Sequence, residues 1–377
     1  MRKVDFLYFD AGGGHRAAAN ALGEVIEQQR RPWQVRLVHL QEVLDPLDVF
    51  RKVLRIRLQD LYNLLLRKGW TLGSPQLTRA MQWVIRLYHP ASVRLLSRFW
   101  TRDPPDLVVS LVPNLNRAVG ESLRRTLPRV PFVVVLTDLA DYPPHFWIER
   151  AVTGSRHYIV CGTARAAEQA RELGHPEDRI LRTSGMILRP RFYEPLEIDR
   201  LSERRKLGLD PVAPTGLVMF GGYGSRVMLE IARRADAQLI VICGRNERLA
   251  EALRRLRRQR PMFVEGFTTE VPYYMRLADF FIGKPGPGSI SEALAMKLPV
   301  IVERNAFTLP QERYNADWIV GNHLGLVVRS FRQVNAAVAE MLRPENYDRF
   351  RTRAEALDNR AVYEIPEILA RFLESVE

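Results

Sequence analysis

The sequence contains very little cysteine: Cys161 and Cys243 are the two cysteines among its 377 residues. Each lies in or just after an apolar, strand-like run, so we expect two buried reduced thiols and no disulfide framework. Long hydrophobic runs are also lacking, and none approaches the roughly twenty residues that a helix needs to cross a bilayer. Because Met1-Arg2-Lys3 leads directly into a strand-like run, we expect no secretory signal and a cytoplasmic protein.

Lysine is scarce as well, whereas arginine is abundant. Of the 56 basic residues, lysine occupies only positions 3, 52, 68, 206, 284 and 297. The net charge of +13 favours anionic partners, such as nucleic acid, acidic lipid surfaces or phosphorylated substrates. An apolar content of 46% with six tryptophans excludes a disordered chain.

Apolar runs rich in valine and isoleucine recur along the chain, separated by helix-like stretches. Within these runs polar and apolar residues do not alternate, which is typical of parallel strands covered on both faces. We therefore predict an α/β fold with an N-terminal domain over 1–195 and a C-terminal domain over 196–350. The polar, proline-containing stretch 191–216 marks the hinge. A helical tail over 351–377 follows, and its return to the N-terminal domain stays open.

Residues 44–102, the basic segment, lack the alternation of strand-like runs with helix-like stretches. Their sequence predicts helices interrupted at 69–75 and at Pro90. They hold eleven Arg or Lys against three Asp, with aromatic residues interleaved. One interpretation is helices packed on the sheet with solvated faces. The other is a surface that rests on anionic lipid, with contacts at Arg51, Lys52, Arg55 and Arg57. Nucleic acid is not expected as a partner, because no helix-turn-helix, zinc or aromatic-platform pattern accompanies the charge.

The stretch FDAGGGHRAAAN, residues 9–20, predicts the end of a strand, a glycine turn and the start of a helix. A helix N-terminus offers free backbone N–H groups, so this turn suits an anion or a polar substrate.

The stretch FIGKPGPGSISEALAMKLPVIVE, residues 281–303, predicts a strand ending at Ile282 and a helix beginning near Ser289. Gly286, Pro287 and Gly288 leave the backbone open to a diphosphate. The stretch matches neither a Walker loop nor a dinucleotide-binding glycine pattern. Glu292 has two interpretations: it completes a capping box with Ser289, or it accepts both hydroxyls of a ribose.

Two further glycine turns lie in the same half of the chain. Gly221, Gly222 and Gly224 follow the first strand of this domain, and Gly266 with Phe267 follows another, where a flat base could lie on bare backbone. Three such turns in one α/β domain predict a nucleotide site at the carboxyl edge of the sheet.

These motifs resemble the monogalactosyldiacylglycerol synthase-like glycosyltransferases, relatives of the lipid-linked N-acetylglucosaminyltransferase of peptidoglycan synthesis. GGGHRAAA is similar to their N-terminal signature, TDLADYPPHFWIE to their Thr-Asp-Leu segment, and TSGMILRPRF to their Gly-x-Pro-Val-Arg-Pro stretch. GPGSISEALAMKLPVIV and LPQERYNADWIVGNHLG resemble their donor-binding half. Departures occur at Pro143, where the family has His (His145 follows two residues later), at Val112 in Ser110–Pro113, where its His is absent, and at Ile187, which replaces a Pro.

The resemblance implies two Rossmann-like domains facing across a cleft, the GT-B type of glycosyltransferase. It implies an inverting, metal-independent transfer of a hexose from UDP to a membrane lipid such as diacylglycerol, with no cofactor. Glu292 would hold the ribose, Gly286 to Ser289 with Arg189 the diphosphate, and Gly266 with Phe267 the uracil. The sugar hydroxyls would be read by Gln311, Glu312 and Asn315.

An inverting transfer also needs a base for the acceptor hydroxyl. Gly12, Gly13 and Gly14 would let that hydroxyl come close, and His15 is the candidate base, since its ordinary pKa suits proton uptake near neutrality. A histidine at a helix end without chemistry is the alternative. Asp138 is either a rival base or the residue that orients His15.

The expected enzyme is peripheral on the anionic inner face of the cell membrane and needs no nucleic acid. Two other functions stay open. One is a UDP-sugar epimerase of the same two-domain fold, which needs no lipid surface. The other is a non-enzymatic protein that binds nucleotide or nucleic acid through its charge alone.

Overall fold

Two parallel β-sheets of six strands each organise the residues described by a computed structural model, which are 1–10, 14–47, 82–142 and 145–374. These residues divide into two compact units. The first unit comprises the described residues up to Pro190 together with those from Asn359 onward. The second unit is Arg191–Asp358.

The first unit is built on a sheet with the strand order β2-β1-β3-β4-β5-β6. Its strands are β1 (Arg2–Tyr8), β2 (Trp33–His39), β3 (Leu107–Ser110), β4 (Phe132–Val135), β5 (His157–Cys161) and β6 (Ile180–Arg182). Its helices before residue 190 are α1 (Gly14–Gln28), α2 (Leu40–Leu44), α3 (His89–Arg102), α4 (Asn116–Thr126) and α5 (Ala164–Glu172). Every residue of β3 and β4 is buried, as the unbroken apolar runs predict.

The second unit has the strand order β12-β11-β10-β7-β8-β9. Its strands are β7 (Thr215–Met219), β8 (Gln238–Ile242), β9 (Met262–Glu265), β10 (Phe280–Gly283), β11 (Val300–Glu303) and β12 (Gly325–Val328). Its helices are α6 (Arg200–Lys206), α7 (Val227–Arg234), α8 (Glu247–Arg254), α9 (Val271–Leu277), α10 (Pro287–Ala295), α11 (Arg313–Gly321), α12 (Val334–Met341) and α13 (Pro344–Glu355).

The C-terminal helix α14 (Ala361–Glu374) belongs to the first unit, although the second unit precedes it in the chain. Glu367 on α14 pairs with Arg31, and the ring of Phe372 lies 4.3 Å from that of Tyr158 on β5. These contacts fix the end of the described chain on the first sheet.

Each sheet reverses its strand order at one place, which is where parallel α/β proteins bind ligands. In the first unit the order reverses between β1 and β3, and in the second between β7 and β10. The second order is that of the dinucleotide-binding Rossmann fold, counted from β7. The predicted Rossmann-like character of the two units is therefore confirmed.

Both cysteines are buried and neither forms a disulfide, as the sequence predicted. Burial raises the pKa of the Cys161 thiol to about 12 and that of Cys243 to about 11. No described helix is both long and apolar enough to cross a membrane.

The basic segment is described only at its ends, and its predicted lipid contacts at 51–57 and interruption at 69–75 lie outside the described residues. Helix α3 begins directly after Tyr88 with Pro90 in its first turn, so the helical stretch is interrupted two residues before the predicted position at Pro90. The interpretation of its aromatic residues as one surface is wrong for Trp100. That side chain is fully buried and donates to the Ser122 hydroxyl at 2.8 Å. Trp83, by contrast, is 65% exposed.

Gly244 allows the turn after β8 to pack closely against the turn after β7. Its φ is +59°, and a Cβ there would lie 2.3 Å from the carbonyl oxygen of Gly222. Gly208 has a similar φ of +72°, but no described atom lies within 4 Å of its Cβ position. Both alanine variants strain the backbone by about 1–2 kcal/mol. We expect Gly244→Ala to destabilise by about 1–3 kcal/mol more than Gly208→Ala in denaturant unfolding, because it adds a clash. Equal losses would contradict the close approach.

Candidate functional site

Pairing of β7 with β10 brings two predicted glycine turns to one edge of the second sheet. The strands are parallel, with Met219 opposite Gly283 at their carboxyl ends. A short 3₁₀ helix, Gly221–Tyr223, follows β7, and α10 follows β10. The two turns therefore lie on either side of the point where the strand order reverses.

The turn after β7 has an open half and a packed half. No described atom lies within 4 Å of a Cβ built on Gly221 or Gly222, so this backbone is accessible to a ligand. A Cβ on Gly224 would instead lie 2.9 Å from the carbonyl oxygen of Cys243. Gly221 and Gly222 thus offer open backbone, and their role as a phosphate cradle stays a prediction, whereas Gly224 serves the packing of the turn.

Helix α10 begins earlier than predicted, which changes the interpretation of Glu292. Gly286 is the N-cap and Pro287 the first helical residue, with no side-chain cap. The predicted helix start near Ser289 is wrong, and so is the capping box. Ser289 is the third residue of the helix and cannot act as its N-cap. Glu292 is half-buried one turn further on, and its role in holding a ribose stays a prediction.

The N-terminus of α10 presents backbone donors toward open space. Pro287 has no N–H, so the first donors of the helix are those of Gly288 and Ser289. Gly288 is exposed, and no described atom lies within 4 Å of its Cβ position. Such a helix end is suited to a diphosphate.

A second element, the 3₁₀ helix Pro310–Glu312 with α11 behind it, packs against this helix end. The ammonium of Lys284 donates to Oε1 of Glu312 at 2.5 Å. The amide of Asn315 donates to the carbonyl oxygen of Pro285 at 2.7 Å. Glu312 is thus close to the turn before α10. The predicted contact of Gln311 and Glu312 with the sugar stays a prediction.

Asn315 has a structural role in this turn. Its side chain is fully buried, and its Nδ2 donates to the carbonyl oxygen of the residue before Gly286. Asn315 therefore positions the turn before α10, and its predicted contact with a sugar hydroxyl stays a prediction.

The turn after β9 carries an exposed aromatic ring. Phe267 is 57% exposed, and the guanidinium of Arg245 lies 4.9 Å from its ring centroid. The backbone N–H of Arg245 also donates to the carbonyl oxygen of Gly222 at 2.9 Å. Arg245 thus links the predicted uracil position at Gly266 and Phe267 with the first glycine turn. Sequence reasoning did not identify Arg245, because it stands in no glycine-rich motif.

In the first unit, His15 lies in the first turn of α1, after β1. Its Nδ1 is hydrogen-bonded to the Thr137 hydroxyl at 3.2 Å, and its ring centroid lies 5.7 Å from that of Trp147. Burial lowers the pKa of His15 to about 4, and a hydrogen bond to the backbone of Leu111 offsets only part of this shift. The expected pKa near neutrality is therefore wrong. At pH 7 the imidazole is neutral, the state in which a base accepts a proton, but it is a weak base.

Asp138 is connected to this site through Trp147. The indole N–H donates to Oδ2 of Asp138 at 2.7 Å. The neighbouring Asp141 accepts the backbone N–H of Trp147 at 2.6 Å, and burial raises the pKa of Asp141 to about 6. The Thr137 hydroxyl is a partner of the His15 Nδ1 atom. The family motif around Thr137 was the only signal in the sequence for this role.

Four further predicted residues, and two positions that depart from the family motif, complete the comparison of the sequence predictions with the structure. Arg189 is half-buried in the first unit, directly before the boundary after Pro190, whereas the other donor residues belong to the second unit. Gly14 opens α1. Gly12, Gly13 and Pro143 lie outside the described residues. His145 has a positive φ of +49°, and its Nδ1 lies 3.3 Å from the carbonyl oxygen of Ile148.

Comparison with solved structures supports the fold. MurG of Acinetobacter baumannii has a TM-score of 0.63 at 12% identity, covering 98% of this chain and 99% of that chain. The S. aureus MnaA-UDP co-structure has a TM-score of 0.62 at 15% identity, covering 100% of this chain and 98% of that chain. Two parallel-sheet units with the GT-B fold are therefore confirmed.

Sequence comparison gives the family. The model of the glycosyltransferase family 28 C-terminal domain matches residues 225–362. Monogalactosyldiacylglycerol synthase 1 of Arabidopsis thaliana is 30% identical over 372 residues, which cover 91% of this chain but only 65% of that protein. Probable monogalactosyldiacylglycerol synthase 2 of Oryza sativa subsp. indica is 30% identical over 381 residues, covering 90% of this chain and 73% of the relative. The chain belongs to the monogalactosyldiacylglycerol synthase family.

Proposed function

We propose that the protein is a glycosyltransferase that moves a hexose from a UDP-sugar to a membrane lipid. The observation that carries the proposal is the convergence of two open glycine turns at the strand-order reversal of the second unit. The relatives' names suggest galactose as the hexose and diacylglycerol as the acceptor. The MnaA structure with UDP supports a UDP-linked donor on this fold.

The proposed reaction divides between the two units. The second unit holds the donor: the N-terminus of α10 meets the diphosphate, Glu292 the ribose, and the turn at Phe267 the uracil. The bond between C1 of the hexose and the diphosphate oxygen breaks, and its electron pair stays on that oxygen. The acceptor hydroxyl oxygen bonds to C1 with inversion, and its proton passes to a base in the first unit.

His15 is the base that we favour, with Asp138 as the alternative. His15 is neutral at pH 7 and hydrogen-bonded to Thr137, so it is fixed in place and able to accept a proton. Helix N-termini and Arg189 would stabilise the departing diphosphate, so we propose a reaction that needs no metal ion.

Membrane association is the part of the proposal that concerns the acceptor. Trp83 and Leu87 are 65% and 60% exposed, and they lie four residues apart in the helical stretch 82–87 with Arg86 beside them. Residues four apart share one face of a helix, so this face combines apolar and basic groups. We propose that it contacts the anionic inner face of the cell membrane.

The function is tested by incubating purified protein with UDP-galactose or UDP-glucose, with and without vesicles that contain diacylglycerol. Release of UDP only in the presence of the lipid, together with a glycolipid product, supports the transferase. Epimerised sugar nucleotide would favour a UDP-sugar epimerase instead. Tight binding of RNA or DNA with no turnover would favour a non-enzymatic role.

Glu292 provides a test of the donor site. We expect Glu292→Ala to weaken UDP binding by about 1–3 kcal/mol, the usual loss for a hydrogen bond to a charged group. Glu292→Gln should lose less, because its amide still reaches one hydroxyl. Calorimetric titration with UDP measures both. Unchanged UDP affinity with only a lower melting temperature would mean that Glu292 merely stabilises α10.

His15 provides a test of the base. His15→Ala should lower turnover about 10²- to 10⁴-fold and leave UDP affinity nearly intact, because a base acts on the transition state. The wild-type activity should persist down to about pH 5 and fall as the pH drops through the His15 pKa of about 4, where the imidazole takes up a proton. Near-wild-type turnover of the variant would eliminate His15 as the base. Equal loss in Asp138→Asn and in the double variant would mean that the two act together.

Vesicle sedimentation tests the membrane surface. The protein should bind vesicles with anionic lipid, remain free with zwitterionic ones, and be released by high salt. Substituting Arg51, Lys52, Arg55 and Arg57 by Gln should weaken binding. Leu87→Ser should weaken it too, whereas Leu201→Ser, an exposed leucine on α6 of the second unit, is the matched control. Binding that ignores lipid charge, salt and Leu87 would refute the proposed surface.

A further inference from the structure

Lys284 is a charged residue of the donor turn to which nothing above assigns a role in the reaction. It directly follows β10 and precedes the N-cap of α10. Its ammonium donates to Glu312 at 2.5 Å; the lysine side chain is 41% exposed and the glutamate side chain 9%. One side of the pair is thus open to solvent at the helix end where a diphosphate would bind.

The pair lies directly over the backbone of Gly286. A Cβ on Gly286 would be 3.5 Å from the Lys284 nitrogen and 3.6 Å from Oε1 of Glu312. A diphosphate held by the N-terminus of α10 would therefore lie close to a carboxylate, and like charges in contact disfavour binding. An ammonium carries three N–H donors, and this lysine side chain is 41% exposed, so a phosphate oxygen can reach the ammonium that holds Glu312.

We propose that Lys284 is a diphosphate ligand and that Glu312 positions its ammonium. In the free protein the ammonium neutralises Glu312. With the donor bound, it bridges Glu312 and the diphosphate, removes their mutual repulsion and stabilises the charge that stays on UDP when the C1–O bond breaks. This inference rests on the proposed function, because it assumes a uridine diphosphate at α10.

Uridine, UMP and UDP form the probe series that separates a phosphate ligand from a structural ion pair. Calorimetry with Lys284→Gln should show UDP affinity lowered about 10- to 100-fold, the range for a charged hydrogen bond. The loss should be smaller with UMP and absent with uridine. Lys284→Arg should recover part of the UDP affinity, because it restores the positive charge.

Two further variants test the part played by Glu312. Glu312→Gln alone should leave UDP affinity within about threefold, since the ammonium remains. Added to Lys284→Gln, it should recover at least part of the lost UDP affinity, because it removes the uncompensated carboxylate. Lys297→Gln is the matched control: this lysine follows the other end of α10 and donates to the carbonyl oxygen of Leu357 at 2.8 Å. It should lower stability without any dependence on phosphate number.

The outcomes distinguish this inference from the proposed function. Equal losses of uridine, UMP and UDP affinity in Lys284→Gln, or no recovery in the double variant, would overturn the inference and leave a structural ion pair. Wild-type protein that binds none of the three probes would overturn both the inference and the proposed donor site. Wild-type UDP binding with unchanged affinity in Lys284→Gln would overturn the inference alone.

Discussion

The parallel pairing of β7 with β10 is the constraint on which the candidate donor site depends. Two glycines allow the strands to pack: a Cβ on Gly216 would lie 2.7 Å from the ring of Phe280, and one on Gly283 would lie 2.6 Å from the carbonyl oxygen of Met219. Because both strands end at the same level, their following turns emerge together. A shift of one residue would turn every buried side chain of β10 to the opposite face and separate the two turns.

In the first unit, burial changes the pKa of the candidate base. The apolar surroundings that fix His15 against Trp147 also lower its pKa to about 4. A base of this kind needs no deprotonation at pH 7, but it holds a proton weakly. In the proposed reaction, proton uptake by His15 therefore has to accompany bond formation at the anomeric carbon, when the acceptor hydroxyl becomes acidic. Asp138 is held by the Trp147 indole, so the tryptophan couples the two candidate bases.

Much of the fold was predictable from the sequence because its strands are apolar runs bounded by glycine. Strands β6 and β12 are harder to predict, since runs of three or four residues carry little periodic signal. The start of α10 was placed two residues late. The serine pattern of a capping box competed there with Pro287, a residue favoured at the first helical position, and the proline determined the boundary.

The candidate site was predictable where the motif itself forms the turn and unpredictable where contacts join distant segments. Gly221, Gly286 and His15 belong to the first kind. The contacts of Arg245 with Phe267 and of Lys284 with Glu312 belong to the second, because each joins residues 22 or 28 positions apart that only the fold brings together. Asn315 shows the same limit, since its motif position did not reveal that the side chain is buried against Pro285.

The choice of lysine at position 284 is informative in a chain that uses arginine at nearly every basic position. A guanidinium is planar and favours a paired, two-point contact with a carboxylate. Such a contact with Glu312 would direct the donors of the group away from a phosphate. An ammonium is compact and rotates its donors freely, and its Cε would already lie 3.2 Å from a Cβ on Gly286. The geometry of the turn thus favours a small cation that can hold two anions at once, which is what the proposed transfer from a diphosphate beside a carboxylate requires.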